Sequence, residues 1–220
     1  MIELIRKNRF FIIPYFSFLV ITAFFLVLYS KSQIHIYLNQ YHHPIADFIF
    51  KYNTHIGDGI AIAIFMLLLL FIRYRYFLIM VGSVFITTLV VQSFKRFILP
   101  DIVRPAAFFS NVYELYVVPG VKILTAHSFP SGHSATAFSI FLMAALISKN
   151  NTLKFLFFLI ALIVAYSRVY LSHHFIVDIY FGSLISIIIN LFMFYWGSKW
   201  HNPKLNNSLI KLIRNKKIPS

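Results

Sequence analysis

Ser167-Arg-Val-Tyr-Leu-Ser-His-His-Phe-Ile-Val-Asp178 sets an arginine, two histidines and a carboxylate between two long apolar runs. Charge at such a boundary is expensive and usually serves chemistry. If the segment after Ser172 is helical, His174 and Asp178 fall at i and i+4 on one face, whereas His173 is turned roughly 100° away. Asp178 is then placed to hold the ring of His174. A carboxylate on one imidazole nitrogen fixes the tautomer and leaves the other nitrogen as a nucleophile, base or ligand. Arg168, six residues before His174, brings a planar fork suited to phosphate. The same residues also fit an interfacial His-Asp pair that only anchors a helix end.

Around this stretch lies a chain of 220 residues, 60% hydrophobic and 12% charged. Soluble domains average about 45–50% apolar and about 25% charged, so the composition is that of an integral membrane protein. The formal net charge of +14 invites a nucleic-acid reading. Basic groups dispersed between apolar segments instead read as topology signals and contacts to anionic lipid, and no nucleic-acid partner is expected. Cysteine is absent, which excludes disulfides and thiolate metal sites.

Six apolar runs follow one another: Phe10 to Tyr29, Ile56 to Ile72, Tyr76 to about Leu99, Pro130 to Ser148, Leu153 to about Leu171, and Phe175 to Trp196. Each is read as a transmembrane helix. The first follows Arg6, Lys7 and Arg9 and lacks a small-x-small cleavage pattern, so it is retained as a span. Ser30 to His55 reads as an outer loop with interfacial aromatics, its His42-His43 pair as loop histidines without a role. Asp58 favours a helix N-terminus at the start of the second run. The third run carries Thr87, Thr88, Gln92 and Ser93, a polar stripe that a helix facing only lipid would not need. It is expected to line a polar cavity. In the loop that follows, Phe109, Tyr113 and Tyr116 recur at helical spacing, which predicts a short helix in the interface.

Pro130-Ser131-Gly132-His133 opens the fourth run. Proline is favoured in the first helical turn, the following N–H groups have no partner inside the helix, and glycine admits a close anion. His133 then stands beside a phosphate cradle, unless the tetrapeptide is only a helix start. The segment from about 198 to 220 carries Lys199, Lys204, Lys211, Arg214, Lys216 and Lys217, with Leu205, Leu209, Leu212 and Ile213 on one face. It is expected to be a cytoplasmic interfacial tail against anionic lipid.

Six crossings put the N-terminus, the Arg73/Arg75 and Lys149/Lys154 turns and the tail on one side, which the positive-inside tendency makes cytoplasmic. Lys95, Arg104, Ser131, His133, Arg168, His174 and Asp178 then all fall on the outer face. Decorative polar residues have no reason to segregate in this way, so the parity favours a single site.

Pro130-Ser131-Gly132-His133, and Ser167-Arg168 with His174 and Asp178 at their spacing, resemble the second and third signature motifs of the type 2 phosphatidic acid phosphatase superfamily. The first motif of that family is a lysine, six residues, then Arg-Pro. Here Arg104-Pro105 is present, Phe97 stands at the lysine position, and Lys95 lies two residues upstream with Arg96 as its rival. The resemblance implies an all-α, six-transmembrane-helix bundle in one domain, residues 1–220, with the short interfacial helix between the third and fourth spans. It implies that His174 attacks phosphorus, that Asp178 orients it, and that His133 protonates the leaving oxygen and later activates water. Lys95, Arg104, Arg168, Ser131 and Gly132 would hold the phosphate oxygens, with no metal or other cofactor.

The expected substrate is a lipid phosphomonoester or pyrophosphate in the outer leaflet of a bacterial inner membrane. Undecaprenyl pyrophosphate, lipid A, phosphatidylglycerol phosphate and phosphatidate are the candidates. Phosphoryl transfer between lipids, and a non-enzymatic lipid-binding or transport role, are the alternatives.

Overall fold

The computed structural model describes residues 1–216. Its elements are α1 (Ile2–Lys7), α2 (Arg9–Leu28), α3 (Lys31–Asn39), α4 (Pro44–Asn53), α5 (Gly59–Ile72), α6 (Tyr74–Ser93), α7 (Pro105–Phe108), α8 (Gly132–Ile147), α9 (Asn151–Tyr170), α10 (Ile176–Gly197) and α11 (Leu209–Lys216). No strand occurs among the described residues.

Six apolar helices answer to the six runs, but their lengths differ from the expectation of six full spans. Four segments are long and apolar enough to cross a membrane: Arg9–Leu28, Tyr74–Ile98, Asn151–Tyr170 and Ile176–Gly197. A fifth arises if α4 and α5, bent by 54° at Asp58, are taken as one broken span. At 16 residues, α8 is shorter than the roughly 20 residues that a bilayer core requires.

Two local expectations are corrected. The Ser30–His55 segment, read as an outer loop, is largely helical. Ser30 and Gln33 close a capping box at the start of α3, and Pro44 opens α4 in the position where its missing N–H costs nothing. The short helix between the third and fourth runs is Pro105–Phe108, with Phe109 capping it. The chain at Tyr113 and Tyr116 is not helical. Asn39 accounts for this at Tyr116, because its side chain bonds both the N–H and the carbonyl of that residue, at 2.9 and 3.0 Å.

At the centre α8 packs between α9 and α10. Phe11 and Tyr15 of α2 pack with Phe138, Leu142, Phe158, Val169, Ile179 and Ile187, and Ala145, Ala161 and Ala165 let the helix backbones come close. Asn190 in α10 is tied across the interior to α8, donating to Ser139 Oγ at 2.9 Å. One end of the bundle gathers basic residues. Arg75 donates to the carbonyls of Gly197 and Ser198, and Lys154 donates to the carbonyl of Lys7. The helical part of the tail carries Leu209, Leu212 and Ile213, while Leu205 sits in the turn before it; Lys217 lies outside the described residues. At the other end, the last turn of α6, the start of α8, the end of α9 and the start of α10 converge.

Candidate active site

The third motif builds the centre of this end. α9 stops at Tyr170, and Ser172 takes a positive φ of 53° that reverses the chain. The N–H groups of His173 and His174 both donate to the carbonyl of Arg168, at 2.9 and 3.0 Å. α10 begins at Ile176, so Asp178 lies in its first turn, where a carboxylate is favoured. Asp178 Oδ2 accepts from Phe175 N–H at 3.0 Å and faces His174 Nδ1 at 3.2 Å. His174 and Asp178 do meet, but His174 precedes α10, so the expected shared helix face is replaced by a contact between the loop and the first turn of α10; His173 points elsewhere, with Nε2 donating to the carbonyl of Lys122. His174 and Asp178 are each only 1% exposed.

Nδ1 of His174 is held by the carboxylate, so Nε2 faces the site. Arg104 Nη1 lies 3.2 Å from that Nε2 and donates to the carbonyl of His173 at 2.9 Å. Burial first, then the charges of Arg104, Lys95 and Arg168, hold the His174 imidazole well below the ordinary histidine value, with His133 acting in the same direction. This favours the neutral ring, whose Nε2 lone pair faces Arg104.

The second motif is tied directly to the third, because Ser131 N–H donates to the carbonyl of Asp178 at 3.0 Å. Gly182 makes this approach possible. A Cβ there would strike the backbone of Ser131, so only glycine lets α10 lie against the Pro-Ser-Gly-His turn. The Ser131 hydroxyl, fully buried, accepts from Ser134 N–H and from Ser134 Oγ. It serves as the N-cap of α8, so of the expected cradle it is the Gly132 and His133 N–H groups that begin the helix without intrahelical partners.

Lys95 and its rival Arg96 are separated by the shape of the chain. Residues Phe94–Ile98 form a turn wider than an α-helix, a device common at functional sites. It turns Lys95 inward, where Nζ donates to the carbonyl of His127 at 2.9 Å, and leaves Arg96 exposed. Lys95→Ala is therefore expected to lower phosphate release at least ~100-fold, and Arg96→Ala by less than about threefold. Steady-state rates of the two variants check this, and the reverse order would reassign the residue.

Sequence reasoning missed four contributors. Ser128 Oγ donates to Asp178 Oδ2 at 2.5 Å. Thr54 Oγ1 accepts from Arg168 Nη1 at 2.5 Å. Asp58, read only as a helix-start carboxylate, lies 2.6 Å from His133 Nε2, and its second oxygen lies 2.7 Å from His55 Nδ1. A cavity of mixed character lies beside this pair: Thr87, Thr88 and Gln92 of the expected stripe, though not Ser93, line a space of about 200 Å³ with His133, Asp58 and the apolar Ile62, Val84 and Val91.

His173 makes the site sensitive to acid. Burial, then the charge of Arg168, pushes it down to about 3. The unfolded chain takes up this proton near pH 6.5, and the folded one does not. Stability from this group is complete above about pH 6.5 and is lost as the pH falls towards 3. His173→Gln is expected to flatten that decline in melting temperature, and an unchanged slope would contradict the assignment.

Comparison with known proteins bears on these segments. Over 133 residues the chain is 29% identical to a lipid A 4'-phosphatase of Porphyromonas gingivalis, covering 56% of this chain and 55% of that protein. Over 120 residues it is 30% identical to the bacitracin transport permease protein BcrC of Bacillus licheniformis, covering 50% of this chain and 56% of that one. The chain thus spans about half the length of these curated relatives. The crystal structure of Aquifex aeolicus LpxE superposes with a TM-score of 0.66 at 25% identity, covering 74% of this chain and 93% of that one. The PAP2-type phosphatidylglycerolphosphate phosphatase of Bacillus subtilis shares the fold, with a TM-score of 0.63 at 22% identity over 87% of this chain and 98% of that one. The family model of the PAP2 superfamily matches residues 76–202, a stretch that holds the cationic turn of Lys95, the start of α8 and the whole His174 centre. By that match, over more than half its length, the chain belongs to the PAP2 superfamily.

Proposed function

We propose that this protein hydrolyses a phosphomonoester or pyrophosphate carried by a membrane lipid, through a phosphohistidine on His174, at the outer face of a bacterial inner membrane. The carrying observation is a buried His174 whose Nδ1 faces Asp178 and whose Nε2 faces Arg104. Nε2 attacks phosphorus as the bond to the leaving oxygen breaks. His133 gives its proton to that oxygen, then takes a proton from the water that displaces phosphate from the histidine. Lys95, Arg104 and Arg168 neutralise the charge on the non-bridging oxygens, the work a metal does in other phosphoryl transfers. The cavity beside His133 offers room for the leaving group, and the apolar helices below it suit a substrate already dissolved in the bilayer. The likeness to a lipid A 4'-phosphatase supports a lipid phosphate. Basic residues at the opposite end would meet anionic lipid on the cytoplasmic side, with both described termini there.

A panel of lipid phosphates in detergent, with released phosphate measured with and without EDTA, tests this reading. Release from at least one lipid, unchanged by chelation, is expected; loss with EDTA that a divalent ion restores would contradict the metal-free chemistry. A transport or lipid-binding role is the second reading, favoured by the likeness to a transport permease. Binding of a lipid phosphate without release from any member of the panel would support it. Appearance of a phosphorylated lipid acceptor in place of free phosphate would instead mark phosphotransfer.

A further inference from the structure

Asp58 shares one carboxylate between two imidazoles. Oδ1 lies 2.6 Å from His133 Nε2, and Oδ2 lies 2.7 Å from His55 Nδ1. Asp58 ends the short turn Thr54–Gly57, which is seated on the site at two further points. Thr54 accepts from Arg168, and Gly57 lies against the backbone of His133, where a Cβ would come within 3.0 Å of the His133 carbonyl. The bend of 54° between α4 and α5 falls at this residue, so the break in the helix is what carries the carboxylate to His133. His55 is 67% exposed in its side chain, so the arrangement runs from the buried site to the surface.

The groups that act on His133 are otherwise cationic or neutral: Arg168 at the end of α9, Arg104 from the loop after α6, and the imidazoles of His173 and His174. Asp58 is the carboxylate that opposes them, and it meets His133 through Nε2, leaving Nδ1 as the ring nitrogen free to serve the reaction. Resting on the phosphatase reading, we propose that Asp58 is a positioning residue for the general acid, holding the His133 ring by Nε2 with Nδ1 towards the leaving oxygen. His55 anchors the second carboxylate oxygen from the solvent side. In the step, the Nδ1–H proton passes to the bridging oxygen as its bond to phosphorus breaks and the His174 Nε2–phosphorus bond forms. Water then attacks phosphorus, its proton returns to His133 Nδ1, and the phosphorus–nitrogen bond breaks. Asp58 stays a carboxylate throughout.

The test uses two substrates in detergent, a long-chain alkyl phosphate and a nitrophenyl phosphate bearing the same chain. The alkoxide must be protonated as it leaves, and the nitrophenolate need not be. In Asp58→Asn, kcat/KM for the alkyl phosphate is expected to fall about 100-fold or more, and for the nitrophenyl phosphate by less than about tenfold. Asp58→Glu is expected to recover most of the alkyl activity. The surviving nitrophenyl activity shows that the Asn variant is folded. Equal losses on both substrates, or no loss on either, would overturn the role of Asp58. Wild-type protein that hydrolyses neither substrate would overturn the phosphatase reading itself, before any variant is compared.

Discussion

Replacing His174 by alanine is expected to abolish phosphate release, a fall of roughly 10⁴-fold or more, while the protein remains folded. The size of the effect follows from covalency. Without the imidazole no phosphoryl acceptor of comparable reach remains, because His173 is turned away towards the carbonyl of Lys122 and His133 is committed to Asp58. The backbone that forms the loop is independent of the ring, since the N–H groups of residues 173 and 174 are both held by the carbonyl of Arg168. The variant should therefore elute and melt close to wild type. Full activity in it would reject the nucleophile.

The second large effect is expected at Arg168. Its side chain is 3% exposed, one nitrogen is bonded to Thr54, and Nε is buried without a protein partner. A guanidinium held in this way has donors left for phosphate oxygens, and its desolvation raises the strength of those contacts. Arg168→Lys keeps a charge but loses the planar fork, and Thr54 and a phosphate cannot both be reached in the same geometry. We expect kcat/KM to fall about 10²–10³-fold, the scale on which removal of one positioned donor acts in other enzymes. Phosphate release measured against the wild type checks it; an effect within a few-fold would make Arg168 structural only.

Much of the site was legible because its chemistry is local in sequence. The spacing of His174 and Asp178 is one helical turn, and the Pro130 to His133 turn lies at a helix start, so both could be read without knowing the fold. Parity of the apolar runs then put them on one surface. Asp58 was not legible in the same way, because its partner lies 75 residues away and nothing local distinguishes it from an ordinary helix-start carboxylate. Lys95 was found but could not be ranked over Arg96, since only the wide turn at Phe94–Ile98 decides which of two adjacent side chains faces inward. The Ser30–His55 helices were hidden by their length of nine and ten residues and by polar residues interspersed among their apolar ones. Ser131 shows the converse, a residue read as a phosphate contact whose hydroxyl is occupied in capping its own helix.

The central claim is that phosphorus becomes bonded to His174. Protein incubated with a lipid phosphate carrying radioactive phosphorus, quenched during turnover in alkaline denaturant and digested, tests it most directly. The account predicts an alkali-stable, acid-labile label on the peptide containing His174, present in wild type and absent from His174→Ala. Turnover without any protein-bound label, or a label on a peptide lacking His174, would contradict it.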